Sequence, residues 1–429
     1  MRCVARLALV LLLLPALVPA QPASGTGGVN APVQRDKPYL LLVSIDGMRW
    51  DYPDLFPTPN LQRFIADGAR ADRLLPAWPT LTFPNHYTLV TGLMPHRHGL
   101  VANDFFDPDS GRWYTPRDRS TVTDGRFYAG EPIWVTAERQ GMVAATLFWV
   151  GSTASIGGVR PSHSRLYDKS MRGEQRVEQV LEWLALPAER RPHLLTLYFE
   201  NLDDQAHWNG IGSPEFIDGF KQLDGWLGYL LAGIDALPHG GQVTIVIVSD
   251  HGQMPYNDSP PLVLEQHIAL DGLQLVDGGP YVMAWQERPD AAQAAKLAAQ
   301  VNAVWRHGRA WTRADAPPDW HLNDNPRSPQ LLFVAEPGYA VLSRAEQSVK
   351  LIAGDHGWAP EASEMHGVFM ARGPDIPPGT RVPALRAVDV HSLLLAVLGL
   401  HGPADTDSDP SIVGALLGIS PQVLASELD

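Results

Sequence analysis

Three short apolar runs in the sequence each lead into acidic or histidine residues. The runs and the first acidic residue after each are 39–45 with Asp46, 193–199 with Glu200, and 243–248 with Asp250. Apolar runs of this length are typical of parallel strands that are buried on both faces. Because parallel sheets bind ligands beyond the carboxyl ends of their strands, we expect the three polar ends to lie close together.

Helical patterns lie between these runs. The clearest are Thr58 to Asp67, Glu174 to Leu184 and Ser213 to Leu237, and the last begins with a Ser-Pro pair suited to a cap and first turn. Strands that alternate with helices predict an α/β fold, with a mostly parallel central sheet flanked by helices.

The segment from about residue 255 to 353 has a different pattern. Turns rich in Pro and Asp separate two short strand candidates, Tyr281 to Trp285 and Gln330 to Ala335, from one helix candidate, Asp290 to Trp305. The segment is either a small α/β subdomain inserted between two halves of the active site or a continuation of the main sheet. A further helix is predicted from Asp389 to Leu400.

The N-terminus is typical of an exported protein. Arg2 and Arg6 precede an apolar run, and small residues before position 21 suit cleavage after Ala20, so residues 1–20 are predicted to be a signal peptide. The alternative, a membrane anchor, is disfavoured because Pro15 and Pro19 interrupt a run already shorter than a bilayer span. Residues 21–37 are expected to form a flexible leader.

Composition narrows the possible functions of the remaining chain. The only cysteine is Cys3, so a chain cleaved after Ala20 has no thiolate nucleophile and no disulfide. The net charge of −14 argues against a nucleic-acid polymer as partner. No later stretch is apolar enough to predict stable membrane insertion, and we expect a periplasmic or secreted protein.

Carboxylates after buried strands need cations or hydrogen bonds, because an unpaired buried charge costs several kcal/mol. Three histidines lie near such carboxylates in the sequence, and one of them follows an aspartate at the i+4 position of a helical turn. Oxygen and nitrogen ligands without thiolate suit zinc or a similar first-row metal. The candidate ligands are Asp46, Asp203, His207, Asp250, His251 and His356.

Thr82 precedes a proline-containing start of an apolar helix. Its hydroxyl is therefore expected near the helix N-terminus, where free N–H groups favour a phosphate or an alkoxide. In the simplest alternative, Thr82 only caps the helix. A nearby metal would lower the pKa of the hydroxyl enough to make it a nucleophile.

Taken together, these residues resemble the nucleotide pyrophosphatase/phosphodiesterases of the alkaline phosphatase superfamily. The matching stretches occur in order along nearly the whole chain. They are Ser44-Ile45-Asp46-Gly47, Leu81-Thr82-Phe83-Pro84-Asn85-His86, Phe148-Trp149, Gly158-Val159-Arg160-Pro161, Glu200-x-x-Asp203-x-x-x-His207, Ser249-Asp250-His251-Gly252 and His356-Gly357.

The resemblance implies a catalytic phosphodiesterase domain over residues 38–429, with an alkaline-phosphatase-like fold and two Zn²⁺ ions. Asp203, His207 and His356 would hold one ion, and Asp46, Asp250, His251 and the nucleophile Thr82 would hold the other. Asn103 would help bind a phosphoryl oxygen, and Phe83 and Tyr167 would stack on the base. The implied reaction cleaves nucleotide phosphodiester and pyrophosphate bonds through a phosphothreonine and releases a nucleoside 5′-monophosphate.

Several alternatives remain open at this stage. His366 competes with His356 as the last ligand, and Asp204 competes with Asp203, although only Asp203 has the i+4 relation to His207. Lipid-derived head groups such as glycerophosphocholine are the alternative substrates. A sulfatase is disfavoured because the only cysteine lies in the predicted signal peptide. A non-catalytic metal-binding receptor is disfavoured because nucleophile and ligand positions are all intact.

Overall fold

The computed structural model describes residues 25–346 and 352–417. The predicted signal peptide and the first residues of the predicted leader lie outside this part of the chain. The described strands are β1 (Tyr39–Ile45), β2 (Ala69–Ala71), β3 (Leu74–Leu75), β4 (Phe105–Asp107), β5 (Arg112–Tyr114), β6 (Ala144–Leu147), β7 (His163–Arg165), β8 (Leu194–Phe199), β9 (Val243–Val248), β10 (Met254–Pro255), β11 (Leu262–Val263), β12 (Leu273–Asp277), β13 (Tyr281–Gln286), β14 (Gly308–Thr312), β15 (Leu331–Ala335), β16 (Val341–Leu342), β17 (Gly354–Asp355), β18 (Phe369–Arg372), β19 (Thr380–Val382) and β20 (Leu385–Arg386).

The described residues also form α-helices. They are α1 (Tyr52–Leu55), α2 (Pro59–Ala66), α3 (Thr82–Thr91), α4 (Pro95–His98), α5 (Arg119–Val122), α6 (Ile133–Arg139), α7 (Gly173–Leu184), α8 (Asn201–Asn209), α9 (Pro214–Asp235), α10 (Ala291–Val304), α11 (Asp389–Leu398) and α12 (Ser411–Leu417). Among the described residues, no helix combines the length and the apolar character that crossing a membrane requires.

The main sheet has eight strands in the order β19-β2-β18-β9-β1-β8-β6-β7. The pairs on both sides of β1 are parallel, and β18 alone runs antiparallel to its two neighbours. Along β1, Leu40 and Leu42 pack into one buried cluster, whereas Leu41 and Val43 pack into another. Side chains of a strand alternate between its faces, so both faces of this strand are covered. The predicted α/β class with a mostly parallel sheet is confirmed.

A second sheet lies within the segment of changed composition. Its four strands, in the order β12-β13-β15-β14, are all antiparallel, and they pack with α10 around a separate apolar cluster. Asp290 begins α10 because its carboxylate accepts the N–H groups of Ala292 and Gln293. The chain then returns to the main sheet at β18.

The described part of the predicted leader makes specific contacts with the main domain. Asn30 is buried, its side-chain amide donates to the carbonyl oxygens of Ala188 and Arg191, and its side-chain oxygen accepts the N–H of Val143. The hydroxyl of Thr26 donates to Glu138 at 2.7 Å. These bonds attach the chain before β1 to the edge of the main domain.

Candidate functional site

The three apolar runs are adjacent strands of the main sheet. Ser44 on β1 lies opposite Tyr198 on β8 and Val248 on β9, so the three strands end at the same edge. The polar residues that follow them therefore meet. Asp46 follows β1, Asp203 and His207 lie on α8 after β8, and Asp250 and His251 follow β9.

Asp203, His207 and His356 form the first group of possible metal ligands. One donor atom from each lies within 4.8 Å of the others. Nε2 of His207 is 3.0 Å from Oδ2 of Asp203, as the i+4 spacing on α8 predicts, and Nε2 of His356 is 3.9 Å from Oδ1 of the same carboxylate.

Asp46, Asp250 and His251 form the second group, within the same 4.8 Å limit. Nε2 of His251 lies 3.4 Å from Oδ1 of Asp46 and 3.1 Å from Oδ2 of Asp250. The hydroxyl oxygen of Thr82 lies 3.4 Å from the same nitrogen. The two groups adjoin each other, because the rings of His251 and His356 stack with their centroids 3.6 Å apart.

The donor atoms suit a divalent metal such as zinc. Oδ1 of Asp46 and Oδ2 of Asp250 are buried and have no hydrogen-bond partner within the described residues, which is costly unless a cation binds there. In each of the three histidines, Nδ1 faces a backbone carbonyl, which keeps its proton and leaves Nε2 free to bind a metal. The carbonyls are those of Gly354 for His207, Thr80 for His356 and Gly252 for His251.

The electrostatics of the site also favour cations. Burial and the carboxylates of Asp250 and Asp203 raise the pKa of Asp46 well above its ordinary value. Burial also acts against charge on Asp250, but the neighbouring imidazoles, His251 first, outweigh it and hold the pKa of Asp250 well below its usual range. Burial disfavours a charged His207, yet Asp203 raises the pKa of His207 to about 9. Asp203 and Asp250 thus pair with His207 and His251, whose pKa values are raised, and a metal can replace the protons on these two imidazoles.

Thr82 is the first residue of α3, and Leu81, which cannot cap, occupies the cap position. The side chain of Thr82 is therefore not a helix cap, and its hydroxyl stays available beside the second group. The N–H of Phe83 donates to Oδ1 of Asn103 at 2.9 Å. This bond fixes the side chain of Asn103 beside Thr82 and satisfies one free N–H of the helix N-terminus.

Two cavities meet at this edge. The smaller, about 590 Å³, is lined by Thr82, Phe83 and Tyr167, and the larger, about 780 Å³, is lined by His207 and His356. Asn103 lines both cavities. The two sequence-predicted aromatic residues thus share one cavity with the candidate nucleophile.

The competing candidates lie outside both groups. Nε2 of His366 is 2.9 Å from the carbonyl oxygen of Pro360, and Asp204 forms an ion pair with Lys169 at 2.8 Å. Glu200 pairs with the buried guanidinium of Arg176 at the start of α8.

Sequence reasoning missed three polar residues that contact the site. The hydroxyl of Tyr198 donates to Oδ2 of Asp46 at 2.5 Å, the amide of Gln253 donates to Asp203, and Arg117 lines both cavities. Gln253 lies two residues after His251, so the shared turn was a signal for it. In the sequence, Tyr198 cannot be distinguished from other residues of a strand, and no motif around Arg117 indicates that it lies near the site.

Comparison with known proteins agrees with this geometry. Residues 40–359 match the family model described as type I phosphodiesterase/nucleotide pyrophosphatase. The chain is 30% identical over 395 residues to human ectonucleotide pyrophosphatase/phosphodiesterase family member 5, covering 91% of this chain and 81% of that protein. It is 29% identical to rat family member 1, covering 89% of this chain but only 43% of that protein.

A solved structure has the same fold. It is murine ectonucleotide pyrophosphatase/phosphodiesterase 5, an inactive threonine-to-alanine variant in complex with AMP, with a TM-score of 0.82 and 28% identity over 89% of this chain and 100% of that chain. Fold, site geometry and family match agree, and the chain belongs to the type I phosphodiesterase/nucleotide pyrophosphatase family of enzymes.

Proposed function

We propose that the protein is a two-metal hydrolase that cleaves nucleotide phosphodiester or pyrophosphate bonds through a phosphothreonine at Thr82. The observation that carries this proposal is the position of the Thr82 hydroxyl, 3.4 Å from Nε2 of His251 at the junction of the two ligand groups. The murine relative, named as inactive after a threonine-to-alanine change and bound to AMP, supports both the nucleophile and the product class.

Two bound divalent cations, which we take to be zinc, would supply positive charge where the attacking and leaving oxygens develop negative charge. The side chains named above would hold them, one group to each ion. Within the chain itself, Thr82 attacks phosphorus, and the leaving alcohol or pyrophosphate departs. Asn103 binds a non-bridging phosphoryl oxygen beside the N-terminus of α3, where free N–H groups also favour the phosphate. Water then releases the nucleoside 5′-monophosphate.

Each of the two cavities accommodates a different part of the substrate. Phe83 and Tyr167 line the smaller cavity, so a nucleobase there can stack on an aromatic face. Phe83 is held edge-on by Tyr114, with ring centroids 6.1 Å apart, and Tyr167 is held edge-on by Phe148 at 5.4 Å. The larger cavity opens past His207 and His356 and receives the leaving group.

The nucleophile is tested with zinc-loaded protein and a nitrophenyl ester of thymidine 5′-monophosphate. Thr82→Ala should abolish turnover with an unchanged unfolding temperature, whereas Thr82→Ser should retain part of it. Mass spectrometry of acid-quenched wild-type protein should find the nucleotide attached to the Thr82 peptide. Wild-type turnover by Thr82→Ala would refute the nucleophile assignment.

The substrate class is tested by comparing rates on ATP and on glycerophosphocholine. Faster cleavage of ATP supports the nucleotide proposal, because stacking in the smaller cavity requires a base. Faster cleavage of glycerophosphocholine would instead assign the same metals and nucleophile to lipid-derived head groups.

We also propose that the protein is exported, to the periplasm or out of the cell. The basic and apolar pattern of residues 1–20 supports this, as does the extracellular location in the names of the relatives. Mass spectrometry of protein recovered from cell fractions should find a mature N-terminus at Gln21 in an exported fraction. An intact N-terminus in the cytoplasmic fraction would refute the proposal.

A further inference from the structure

A third group of possible metal ligands lies apart from the catalytic groups. It consists of His96 on α4 and of His321 and Asp324 in the connection between β14 and β15, so it joins the main domain to the small sheet. One donor atom from each residue lies within 4.8 Å of the others. The catalytic residues are not part of this group.

His96 differs from the other histidines around α3 and α4. His86 and His98 both make hydrogen bonds, His86 at 2.8 Å from the hydroxyl of Ser44 and His98 at 3.0 Å from that of Thr88. Nδ1 of His96, in contrast, is buried without a hydrogen-bond partner in the described part of the chain.

His321 is held against His96 by an unusual backbone. Its φ of +52° and ψ of 27° are left-handed, a conformation that side chains other than glycine seldom adopt and that often marks a functional position. It lies between two short 3₁₀ turns, Pro318–Trp320 and Leu322–Asp324. The ring of His321 stacks on His96 with centroids 4.1 Å apart, and its Nδ1 is 2.9 Å from Oδ2 of Asp324.

We propose that His96, His321 and Asp324 bind a divalent transition metal, of the zinc class, that fastens the small sheet to α4. Two imidazoles and one carboxylate are typical zinc ligands, and cobalt and nickel bind the same donors. With bonds of about 2.1 Å, tetrahedral ligand atoms lie about 3.4 Å apart. The 4.8 Å limit of the group therefore leaves a closure of at most about 1.4 Å.

The surroundings provide room and charge for the ion. A cavity of about 450 Å³ beside the group is lined by His321, Asp319 and Asp407, and it can hold a water molecule as fourth ligand. Arg97, the basic neighbour on α4, is paired with Asp407 and Asp405, both at 2.8 Å. Its charge is therefore compensated, and the carboxylate of Asp324 remains available to the metal.

The test compares zinc content between full-length wild-type protein and three variants. His96→Gln, Asp324→Asn and His321→Asn each remove one ligand, and Asn is compatible with the left-handed backbone at position 321. After loading with Zn²⁺ and desalting, each variant should carry one ion per chain fewer than wild type by elemental analysis. Loading with Co²⁺ should give a visible absorption band that is weaker in every variant. Turnover should be unchanged.

His307→Gln is the matched control. His307 precedes β14 of the small sheet and pairs with Glu336 at 3.5 Å, but among the described residues it belongs to no group of three possible metal ligands. Equal zinc content and equal cobalt spectra in wild type and in the folded variants would overturn the proposal, as would an equal loss in His307→Gln. The readout is a difference between proteins that share the same catalytic residues, so it is independent of the function proposed above.

Discussion

The hydrogen bond from Tyr198 to Asp46 gives the sharpest test of how neighbouring side chains orient the candidate metal ligands. Asp46 is buried and Tyr198 is partly buried, and the hydroxyl donates to Oδ2 at 2.5 Å. Tyr198→Phe removes this donor and leaves the ring in place. Because the acceptor is a carboxylate, the bond belongs to the charge-assisted class, which contributes about 1.5–3 kcal/mol.

The expected loss in metal affinity follows from that value. Loss of a hydrogen bond that orients a metal ligand typically costs about 10–100-fold in affinity or activity, or about 1.4–2.7 kcal/mol. Burial and two neighbouring carboxylates already raise the pKa of Asp46, and Tyr198 opposes them. Without Tyr198 the carboxyl holds its proton to a higher pH, so the loss in zinc affinity should be larger at pH 6 than at pH 8.

The assay is competition for zinc with a chromophoric chelator, at both pH values, together with turnover of the nitrophenyl ester. Tyr114→Phe is the control, because it removes a buried hydrogen bond between two phenols, Tyr114 and Tyr128, at 2.9 Å. Both variants should lose stability, Tyr114→Phe less than Tyr198→Phe, but only Tyr198→Phe should lose zinc affinity. Equal zinc affinity of Tyr198→Phe and wild type would refute the reasoning.

Three further predictions concern the turn after β1, a buried histidine and the base cavity. A Cβ at Gly47, where φ is +68°, would lie 2.7 Å from Gln253 and 2.9 Å from Oδ1 of Asp203. Gly47→Ala should therefore lower kcat at least about tenfold, while circular dichroism shows that the fold is retained. A wild-type kcat in this variant would contradict the prediction. Burial lowers the pKa of His391 to about 4, so the folded state rejects a proton that the unfolded state binds below about pH 6.5. The free energy of unfolding should therefore fall by up to about 1.4 kcal/mol per pH unit as the pH is lowered between these two values. Urea unfolding at several pH values should show that this free energy depends less on pH in His391→Leu than in wild type. Tyr167→Ala should raise KM for the nucleotide ester about 5–150-fold, the equivalent of 1–3 kcal/mol of stacking, and leave KM for bis(nitrophenyl) phosphate unchanged; an equal rise for both would exclude stacking.

The sequence predicted the strands closely because their signal is local. Tyr39–Ile45 and Val243–Val248 have the predicted bounds, and the helix predicted from Ser213 to Leu237 is observed at Pro214–Asp235. Continuous apolar residues, a Ser cap and a Pro in the first turn each fix one element without long-range contacts. The ends shift by one or two residues because the last turns depend on neighbours that the sequence does not show.

The site was predictable where a strand end carries its own ligand and less so elsewhere. Asp46 and Asp250 follow buried strands, and parallel pairing brings them together. The contact of Tyr198 with Asp46 depends on which face of β8 the phenol occupies, and Arg117 reaches the cavities through tertiary folding alone. Such residues have ordinary sequence surroundings, so only coordinates distinguish them from other strand and loop residues.

The two adjoining groups of possible metal ligands come from residues 46 to 356, and in the sequence they lie on both sides of the second sheet. A fragment that begins after residue 46 or ends before residue 356 lacks at least one of them. The metal ions therefore bind the native state, in which these side chains meet, and a higher concentration of free ions shifts the folding equilibrium toward that state. Zinc in the surrounding medium would then act as a folding ligand, so chelation should shorten the lifetime of the whole protein as well as its activity.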